Sequence, residues 1–286
     1  MTESLIVTHQ NPDVDAIGSA WLLKRFDKEL YRSAKMAFVP SGERITNEEV
    51  ESYAINLSDV VHVDTGGGEF DHHDEEGVGS SASKKVYEYL CGKFPDLKKN
   101  KALKRVVEFA NDTDQFSSYF WPDPANDRYV FGIEQMLNGF KLGGHGGDSD
   151  LVAFGMDCFD GAYSMLNILV EAEKEIKEGT EFECKWGKSI GLLSSNDATI
   201  KLAQKMGYNV VVRKDTDLGN IRIKAAPLPE IDLAPIYEQV MKLDKEGTWY
   251  FHPGKHMLLN GSRKHLGQKP SGLSLEKMIE IIKEIE

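Results

Sequence analysis

Short runs of β-branched residues alternate with helical patterns over the first 115 residues, and this alternation constrains the fold more than any other feature of the chain. It is typical of β-α-β units, in which a helix returns the chain so that successive strands run parallel. Strands are indicated at residues 5–7, 36–39 and 60–63, and apolar residues at helical spacing predict a helix that ends near Phe26. We therefore predict an α/β fold with an N-terminal parallel sheet that carries helices on both faces.

A second, smaller α/β domain is predicted in the last third of the chain. Residues 179–188 are polar and irregular in pattern, and strand and helix signals start again beyond them. We place the first domain, including a long connecting helix, at residues 1–180 and the second at residues 181–286. A length of 286 residues fits two domains of about 150 residues each.

The composition excludes several classes of protein. With 34 Lys and Arg against 46 Asp and Glu, the net charge of -12 argues against a protein that coats nucleic acid with its whole surface. Three widely separated cysteines indicate neither a disulfide framework nor a thiolate zinc site. No apolar run approaches the roughly 18 to 20 residues of a membrane helix, and the N-terminus lacks a signal-peptide pattern. We expect a cytoplasmic protein with no membrane partner.

Histidine and aspartate residues follow the first predicted strand closely. His9, Asp13 and Asp15 fall in the turn that leads from this strand into its helix. Because ligands bind beyond the carboxyl ends of the strands in an open parallel sheet, these three side chains are candidate metal ligands. Either aspartate alone would more often be a helix N-cap, but their position beside a histidine favours a metal site.

A second group of candidate ligands follows the third predicted strand. Asp64 ends that strand, and Asp71, His72 and His73 follow three glycines that allow the loop to fold back. Adjacent residues of an extended chain point to different sides, so we expect one of the two histidines to bind a metal and the other to contact phosphate or transfer a proton. Asp112, near the end of a later predicted helix, completes the set.

Together these side chains offer two divalent cations a mixed set of nitrogen and oxygen ligands, which Mn²⁺ and Mg²⁺ accept. Four carboxylates would balance two dications, and the cations would then attract and polarise a phosphate. His62 and His145 are left out of the set, because we expect His62 to be a structural residue and His145 a loop residue.

Four segments of the chain, THQNPDVDAIGSA, VDTGG, DHH and NDTDQF, occur in the order of the four motifs of the DHH phosphoesterase superfamily, which the first 120 residues or so resemble. That superfamily includes RecJ-type exonucleases, nanoRNases, cyclic dinucleotide phosphodiesterases and family II inorganic pyrophosphatases. The segments DTGGGEFDHH and WYFHPGKHMLLNGSRKH are also similar to the melanocyte proliferating gene family of exonucleases, whose members act on RNA.

The resemblance implies a role for each candidate. The ligands of one cation would be His9, Asp13 and Asp64, and those of the second would be Asp15, Asp64, His72 and Asp112, with Asp64 shared. His73 would face the substrate phosphate, and Asp71 would orient a neighbouring histidine. Asp112 is preferred to Asp114 because DTDQF is similar to the DT-x-x-F pattern of the superfamily, and Asp114 is the fallback.

A basic segment of the second domain is predicted to bind the substrate. Residues 247–275 contain no Asp or Glu. The predicted phosphate contacts, through backbone amides, a hydroxyl and cations, are Lys255, Gly261, Ser262, Arg263 and Lys264. Trp249, Tyr250 and Phe251 would offer a face on which bases stack. An equally favoured interpretation is a solvated hairpin edge whose aromatic residues belong to the core.

These features predict a metal-dependent phosphoesterase, similar to an exonuclease or a nanoRNase, that hydrolyses phosphodiester bonds of short single-stranded RNA or DNA or of nucleotide oligomers. Two divalent cations, Mn²⁺ in preference to Mg²⁺, would activate water, so that no protein nucleophile is needed. The alternatives are a hydrolase of a small phosphoanhydride such as pyrophosphate, and a noncatalytic metal-containing module that binds RNA or nucleotides. A homodimer is compatible with the sequence.

Overall fold

The computed structural model describes residues 3–73, 79–261 and 267–285. The chain divides into two compact units, Met1–Leu166 and Asn167–Glu286, which are described separately below. This division lies inside a long helix, whereas the sequence patterns place the domain boundary beyond that helix, after residue 180. Two independently folding domains with that boundary stay a prediction.

The first unit is built on a three-stranded parallel sheet. Its strands are β1 (Leu5–His9), β2 (Lys35–Val39) and β3 (Val60–His62), in the order β2-β1-β3. In this register β1 begins opposite Lys35 of β2 and Val60 of β3. The carboxyl ends of all three strands therefore lie at one edge of the sheet, where β-α-β folds bind their ligands.

Helices connect and cover these strands. They are α1 (Val14–Phe26), α2 (Lys28–Tyr31), α3 (Asn47–Ser52), α4 (Ala82–Lys93), α5 (Lys101–Asp114), α6 (Ile133–Leu142) and α7 (Asp148–Lys177), the last of which continues into the second unit. Short 3-10 helices occur at Leu57–Asp59, Pro95–Lys99, Ser117–Phe120 and Asp127–Phe131.

Alternation along β1 gives the sheet an apolar core on each face. Ile6 packs into a large cluster with residues of α1, α4, α5 and α7, whereas Leu5 and Val7 belong to a second cluster with Val50 of α3. Because successive side chains of a strand point to opposite faces, a strand buried on both faces contains an unbroken apolar run. The prediction of an α/β fold with a parallel sheet is confirmed.

The second unit contains a six-stranded mixed sheet in the order β4-β5-β6-β7-β9-β8. Its elements are β4 (Thr180–Cys184), β5 (Gly187–Leu193), α8 (Ala198–Lys205), β6 (Val210–Lys214), β7 (Ile221–Ala225), α9 (Ala234–Leu243), β8 (Tyr250–Phe251), β9 (Met257–Leu259) and α10 (Leu275–Lys283). The β5 and β6 strands are parallel, and the other neighbouring pairs are antiparallel.

The β6 strand is central to the second unit and is covered on both faces. Val210 and Val212 face a cluster that includes residues of α9 and α10, whereas Val211 faces a cluster that includes α8 and the last turns of α7. All three valines are fully buried. Helices on both faces explain why this strand consists of consecutive valines rather than alternating apolar and polar residues.

Strand β4 was not predicted, because its sequence, TEFEC, looks polar. It forms an antiparallel hairpin with β5 at the edge of the sheet. Only Phe182 is buried, so a single apolar side chain marks the face that packs on the core. An edge strand of this kind resembles an irregular polar stretch in sequence. Among the described residues, we find no helix with the length and apolar character needed to cross a membrane.

Candidate metal centre

The ends of two neighbouring strands bring a histidine and an aspartate together. His9 is the last residue of β1, and Asp64 lies two residues after the end of β3. His9 Nε2 is 3.3 Å from Asp64 Oδ2. The other ring nitrogen of His9, Nδ1, donates to the carbonyl oxygen of Gln10 at 2.8 Å. Because this bond fixes the proton of the neutral ring on Nδ1, Nε2 is the nitrogen available to a metal ion.

Asp13 stands at the start of α1, where it both caps the helix and faces the cluster. Its Oδ1 accepts from the backbone N–H groups of Asp15 and Ala16, each at 3.0 Å. The expectation of an N-cap therefore holds, but it uses only one carboxylate oxygen. A ligand atom of Asp13 also lies close enough to His9 and Asp64 to share a metal ion with them.

Asp15 is almost completely buried, at 1% exposure, and both of its oxygens are occupied by backbone donors. Oδ2 accepts from Ala82 N–H at 2.6 Å and Oδ1 from Ser83 N–H at 2.9 Å. These two residues begin α4, whose free N–H groups and positive dipole end favour an anion. Burial and repulsion by Asp64 nevertheless raise the pKa of Asp15 to about 7.

A tight loop after β3 returns the chain to Asp64. Asp64 itself has a positive φ of 55°, and Gly66 and Gly67 follow with φ of 78° and 60°. The N–H of Asp64 donates to the carbonyl oxygen of Phe70 at 2.9 Å, which closes the loop. A left-handed conformation at a non-glycine residue costs free energy, and such residues concentrate at functional sites. The loop places His72 Nε2 3.1 Å from Asp64 Oδ1.

His73 is held by Asp71, and its ring lies beside that of His72, with ring centroids 4.3 Å apart, rather than on a different side as the extended chain predicts. His73 Nδ1 lies 2.7 Å from Asp71 Oδ1, while the other oxygen of Asp71 accepts from Gly67 N–H at 2.6 Å. The side chain of His73 is 58% exposed, whereas that of His72 is 9% exposed. His73 Nδ1 is 3.9 Å from Asp64 Oδ1. The arrangement provides one buried and one accessible imidazole, both next to Asp64.

Crowding of charges shifts the pKa of several of these groups. Burial opposes the charge of Asp64, but hydrogen bonds from His72 and His9 outweigh it and lower the pKa of Asp64 to about 2. The hydrogen bond to Asp64 raises the pKa of His72 to about 9 against the effect of burial. Burial also opposes the charge of His9, and the interaction with Asp64 raises its pKa to about 9. Without a cation, protons on the imidazoles compensate the converging carboxylates.

Three groups of side chains, among the residues that the structure describes, bring ligand atoms within 4.8 Å of one another. They are His9, Asp13 and Asp64; Asp15, His72 and Asp114; and Asp64, His72 and His73. Nitrogen and carboxylate oxygen donors without thiolate suit a hard or intermediate divalent cation. Two groups share Asp64 and two share His72, so the three groups form one continuous cluster. The geometry and the donor types therefore support a site for divalent metal.

The structure brings Asp114, rather than Asp112, to the cluster. Asp114 Oδ1 lies 3.6 Å from His72 Nε2, and Asp112 is exposed on α5. The geometry thus favours the residue that the sequence analysis kept as its fallback. Helix phase is the signal that identifies it, since Asp114 follows buried Ala110 by four residues on the same face of α5. Asp112 as a metal ligand stays a prediction with no geometric support.

The predicted substrate-binding residues lie in the second unit. Lys255 is ion-paired with Asp232, at 2.5 Å between Lys255 Nζ and Asp232 Oδ2. Gly261 has a positive φ of 83° and lies against Asn220. Ser262, Arg263 and Lys264 lie outside the described residues. Their role as phosphate contacts stays a prediction.

The aromatic run beside these residues belongs partly to the core. Trp249 is 9% exposed, and its Nε1–H donates to Asp244 Oδ2 at 2.9 Å. The ring of Phe251 stacks on Tyr237 with centroids 5.4 Å apart. Tyr250 is 45% exposed. Two of the three rings are thus used for packing, as in the interpretation that assigned them to the core.

Residues 6–166 match the family model described as ChrB, C-terminal domain. The chain belongs to this family. All the residues of the three ligand groups lie within its ChrB C-terminal domain. The matching model is not that of a DHH family, so membership of the DHH superfamily stays a hypothesis.

Two further comparisons add little to the ChrB match. No curated protein matches the chain. A solved structure described as exonuclease RecJ bound to manganese is similar over 98% of this chain and 89% of that chain, with 12% sequence identity and a TM-score of 0.29. A likeness of this size carries no argument about the function of the ChrB C-terminal domain.

Proposed function

We propose that the chain is a metal-dependent phosphoesterase of the DHH superfamily that hydrolyses phosphodiester bonds in short single-stranded RNA, DNA or nucleotide oligomers. Two divalent cations, most suitably Mn²⁺, would be its cofactors. The observation that carries the proposal is the convergence of three aspartates and two imidazoles around the carboxylate of Asp64; they are Asp13, Asp15, Asp114, His9 and His72.

Charge is the first reason to favour cations at this site. Asp13, Asp15, Asp64 and Asp114 together bring four carboxylates into one cluster. Such a cluster repels a phosphate unless positive charge compensates it. Protonated imidazoles compensate part of the charge, but a protonated imidazole cannot coordinate a metal or activate water. Bound divalent cations would supply Lewis acidity toward a phosphoryl oxygen and lower the pKa of water.

The residues divide into three roles in this proposal. Asp64 would be shared between the two cations, with His9 and Asp13 as ligands of one and His72, Asp15 and Asp114 as ligands of the other. The backbone N–H groups at the start of α4 hold Asp15 in place through both of its oxygens. The hydrogen bond that His9 Nδ1–H donates to the carbonyl oxygen of Gln10 orients that ring.

His73 would act on the substrate rather than on the metal. Its ring is more than half exposed, lies next to Asp64, and is oriented by Asp71 at 2.7 Å. An accessible imidazole with one nitrogen held by a carboxylate has its second nitrogen, Nε2, directed away from that partner. From there it can donate a proton to a leaving oxygen or a hydrogen bond to a phosphate. Asp71 is then a positioning residue for His73.

The test compares hydrolysis by the purified chain in MnCl₂ and in EDTA, with short RNA, short DNA, dinucleotides, cyclic dinucleotides and pyrophosphate as substrates. We expect hydrolysis of short single strands that requires the metal. Asp64→Asn should reduce kcat by at least about 100-fold while retaining the fold, since asparagine also tolerates a positive φ. The control is Asp157→Asn, which changes an exposed carboxylate of α7 outside the cluster and should leave kcat unchanged.

Each contrary result identifies a different error. Turnover of pyrophosphate alone would replace the phosphodiesterase with a phosphoanhydride hydrolase. Metal and RNA binding without turnover of any substrate would indicate a noncatalytic module. Full activity of Asp64→Asn, or activity that survives removal of metal, would show that the cluster is not the catalytic centre.

A further inference from the structure

An open pocket of about 550 Å³ is present in the first unit, between the segment that follows α5 and the start of α6. We call it the aromatic pocket. Its ring-bearing lining residues are Phe116, Tyr119, Trp121 and Tyr129. Volumes of about 300 to 1,000 Å³ are usual for pockets that bind small molecules. The sequence analysis assigned no role to this segment.

The rings of the aromatic pocket are exposed to an unusual degree. Phe116 is 81% exposed and Tyr119 is 76% exposed. Phe116 has a positive φ of 56°, which turns the chain sharply at the end of α5. Exposed aromatic rings gathered in one place are uncommon on a monomeric surface and mark sites of binding. Here the backbone turn itself places the rings outward.

One wall of the aromatic pocket, formed by Trp121 and Tyr129, is held in place by ring contacts and a hydrogen bond. The rings of Trp121 and Tyr129 lie 5.0 Å apart, and Tyr129 Oη–H donates to the carbonyl oxygen of Pro122 at 2.7 Å. The guanidinium of Arg128 lies 5.8 Å from the centre of the Tyr129 ring. These contacts hold one wall in place, so that a planar ligand would meet preformed rings rather than order them on binding.

The aromatic pocket adjoins the metal centre through both of its walls. Phe116 follows Asp114 by two residues at the end of α5. On the opposite wall, Glu134 lies in the first turn of α6, a helix that packs against α1, and Asp13 caps α1. The aromatic pocket therefore begins at the end of α5, where Asp114 belongs to the metal centre.

The lining chemistry distinguishes between the parts of a nucleotide. Among its described residues the lining contains no lysine or arginine, but it includes the carboxylates of Asp127 and Glu134. The two carboxylates make these walls less favourable for a phosphate than for a neutral planar base, which can stack on the rings. Carboxylate oxygens accept hydrogen bonds from exocyclic amino groups, which adenine, cytosine and guanine carry.

From this geometry we infer that the aromatic pocket binds a nucleobase of the substrate while the metal centre holds the adjoining phosphate. The inference rests on the proposed function and adds to it a preference for bases that carry an amino group. The rings of the aromatic pocket would then have the base-stacking role that the sequence predicts for Trp249, Tyr250 and Phe251.

The test separates the base from the phosphate by comparing two ligands in MnCl₂, adenosine 5′-monophosphate and ribose 5-phosphate. Calorimetry should give a tighter Kd for the ligand with the base by about 5- to 100-fold, as expected for one stacked base. Tyr119→Ala should remove most of this ratio. Phe131→Ala is the matched control, because Phe131 is 81% exposed in the same segment but does not line the pocket.

The outcomes distinguish this inference from the proposed function. Equal affinity for both ligands would overturn the base site and leave the phosphate site standing. Failure of both ligands to bind would overturn the proposed function, and adenosine without phosphate, titrated into wild type and Tyr119→Ala in EDTA, would then decide the base site alone. A dimer in sedimentation velocity that dissociates in Tyr119→Ala would make the pocket an interface between copies and overturn the inference.

Discussion

Binding of divalent cations to the cluster should release protons, and the number of protons follows from the geometry around Asp64. A metal ligand must be deprotonated, whereas in the metal-free chain Asp64 raises the pKa of both His9 and His72 to about 9. The pKa of Asp15, raised by burial and by Asp64, is about 7. Asp64 itself, with a pKa lowered to about 2, has no proton to lose at neutral pH.

The expected number is about two protons near pH 7.5. At that pH each imidazole with a pKa of about 9 is almost fully protonated, and Asp15 adds about a quarter of a proton. Near pH 9.5 the same groups hold only about half a proton in total. Since protons and cations compete for the same nitrogens, affinity for the cation should increase with pH. Near pH 7.5 the product of the two binding constants should rise about 100-fold per pH unit.

Calorimetry measures this number directly. MnCl₂ is titrated into the metal-free chain at one pH in several buffers, and the slope of the observed heat against the ionisation enthalpy of the buffer gives the protons released. His9→Asn should reduce the slope by about one proton at pH 7.5. His145→Asn is the control, because His145 is exposed and belongs to none of the three ligand groups among the described residues. Binding of Mn²⁺ without proton release would refute the assignment of His9 and His72 as ligands.

The remaining predictions concern the choice of ligand and the core of the second unit. Asp114→Asn should weaken Mn²⁺ binding in the same titration by about 10-fold or more, whereas Asp112→Asn should leave Mn²⁺ binding unchanged. The reverse result would show that Asp112, the residue favoured by the motif, is the ligand. Met278→Ala removes a side chain with no exposure and should destabilise the chain by about 2 to 5 kcal/mol in urea unfolding monitored by tryptophan fluorescence. Met241→Ala, at a 40% exposed position, should cost less than about 0.5 kcal/mol, and equal costs would contradict the described core.

The fold of the first unit was predictable because apolar runs in its sequence coincide with its buried strands. β1 is buried on both faces and begins with the apolar run Leu5-Ile6-Val7, and polar residues occupy its last two positions, Thr8 and His9. Parallel strands bring their carboxyl ends to one edge, so residues after β1 and β3 had to be neighbours. The meeting of His9 with Asp64 follows from these two facts, although the two residues are far apart in sequence.

Other features could not be read from local pattern because they depend on tertiary partners. β4 has one buried residue, Phe182, and becomes a strand by pairing with β5. The positive φ of Asp64 leaves no mark in sequence, since aspartate is compatible with many conformations. The partner of Lys255 is Asp232, which precedes α9 and lies outside the acid-free segment that made Lys255 a candidate. Absence of nearby acidic residues in sequence did not imply absence of an acidic partner in space.

The choice between Asp112 and Asp114 shows that helix phase and motif likeness are different kinds of information. The motif indicates the end of α5 and favours Asp112, whereas Asp114 is the residue of this segment that lies near His72. Leu103, Val107 and Ala110 are buried on one face of α5, and a step of four residues continues that face to Asp114. A residue two positions earlier is turned by about 200° around the helix axis. When a candidate ligand lies in a helix, its phase relative to the buried face should therefore decide between neighbouring residues that fit a motif equally well.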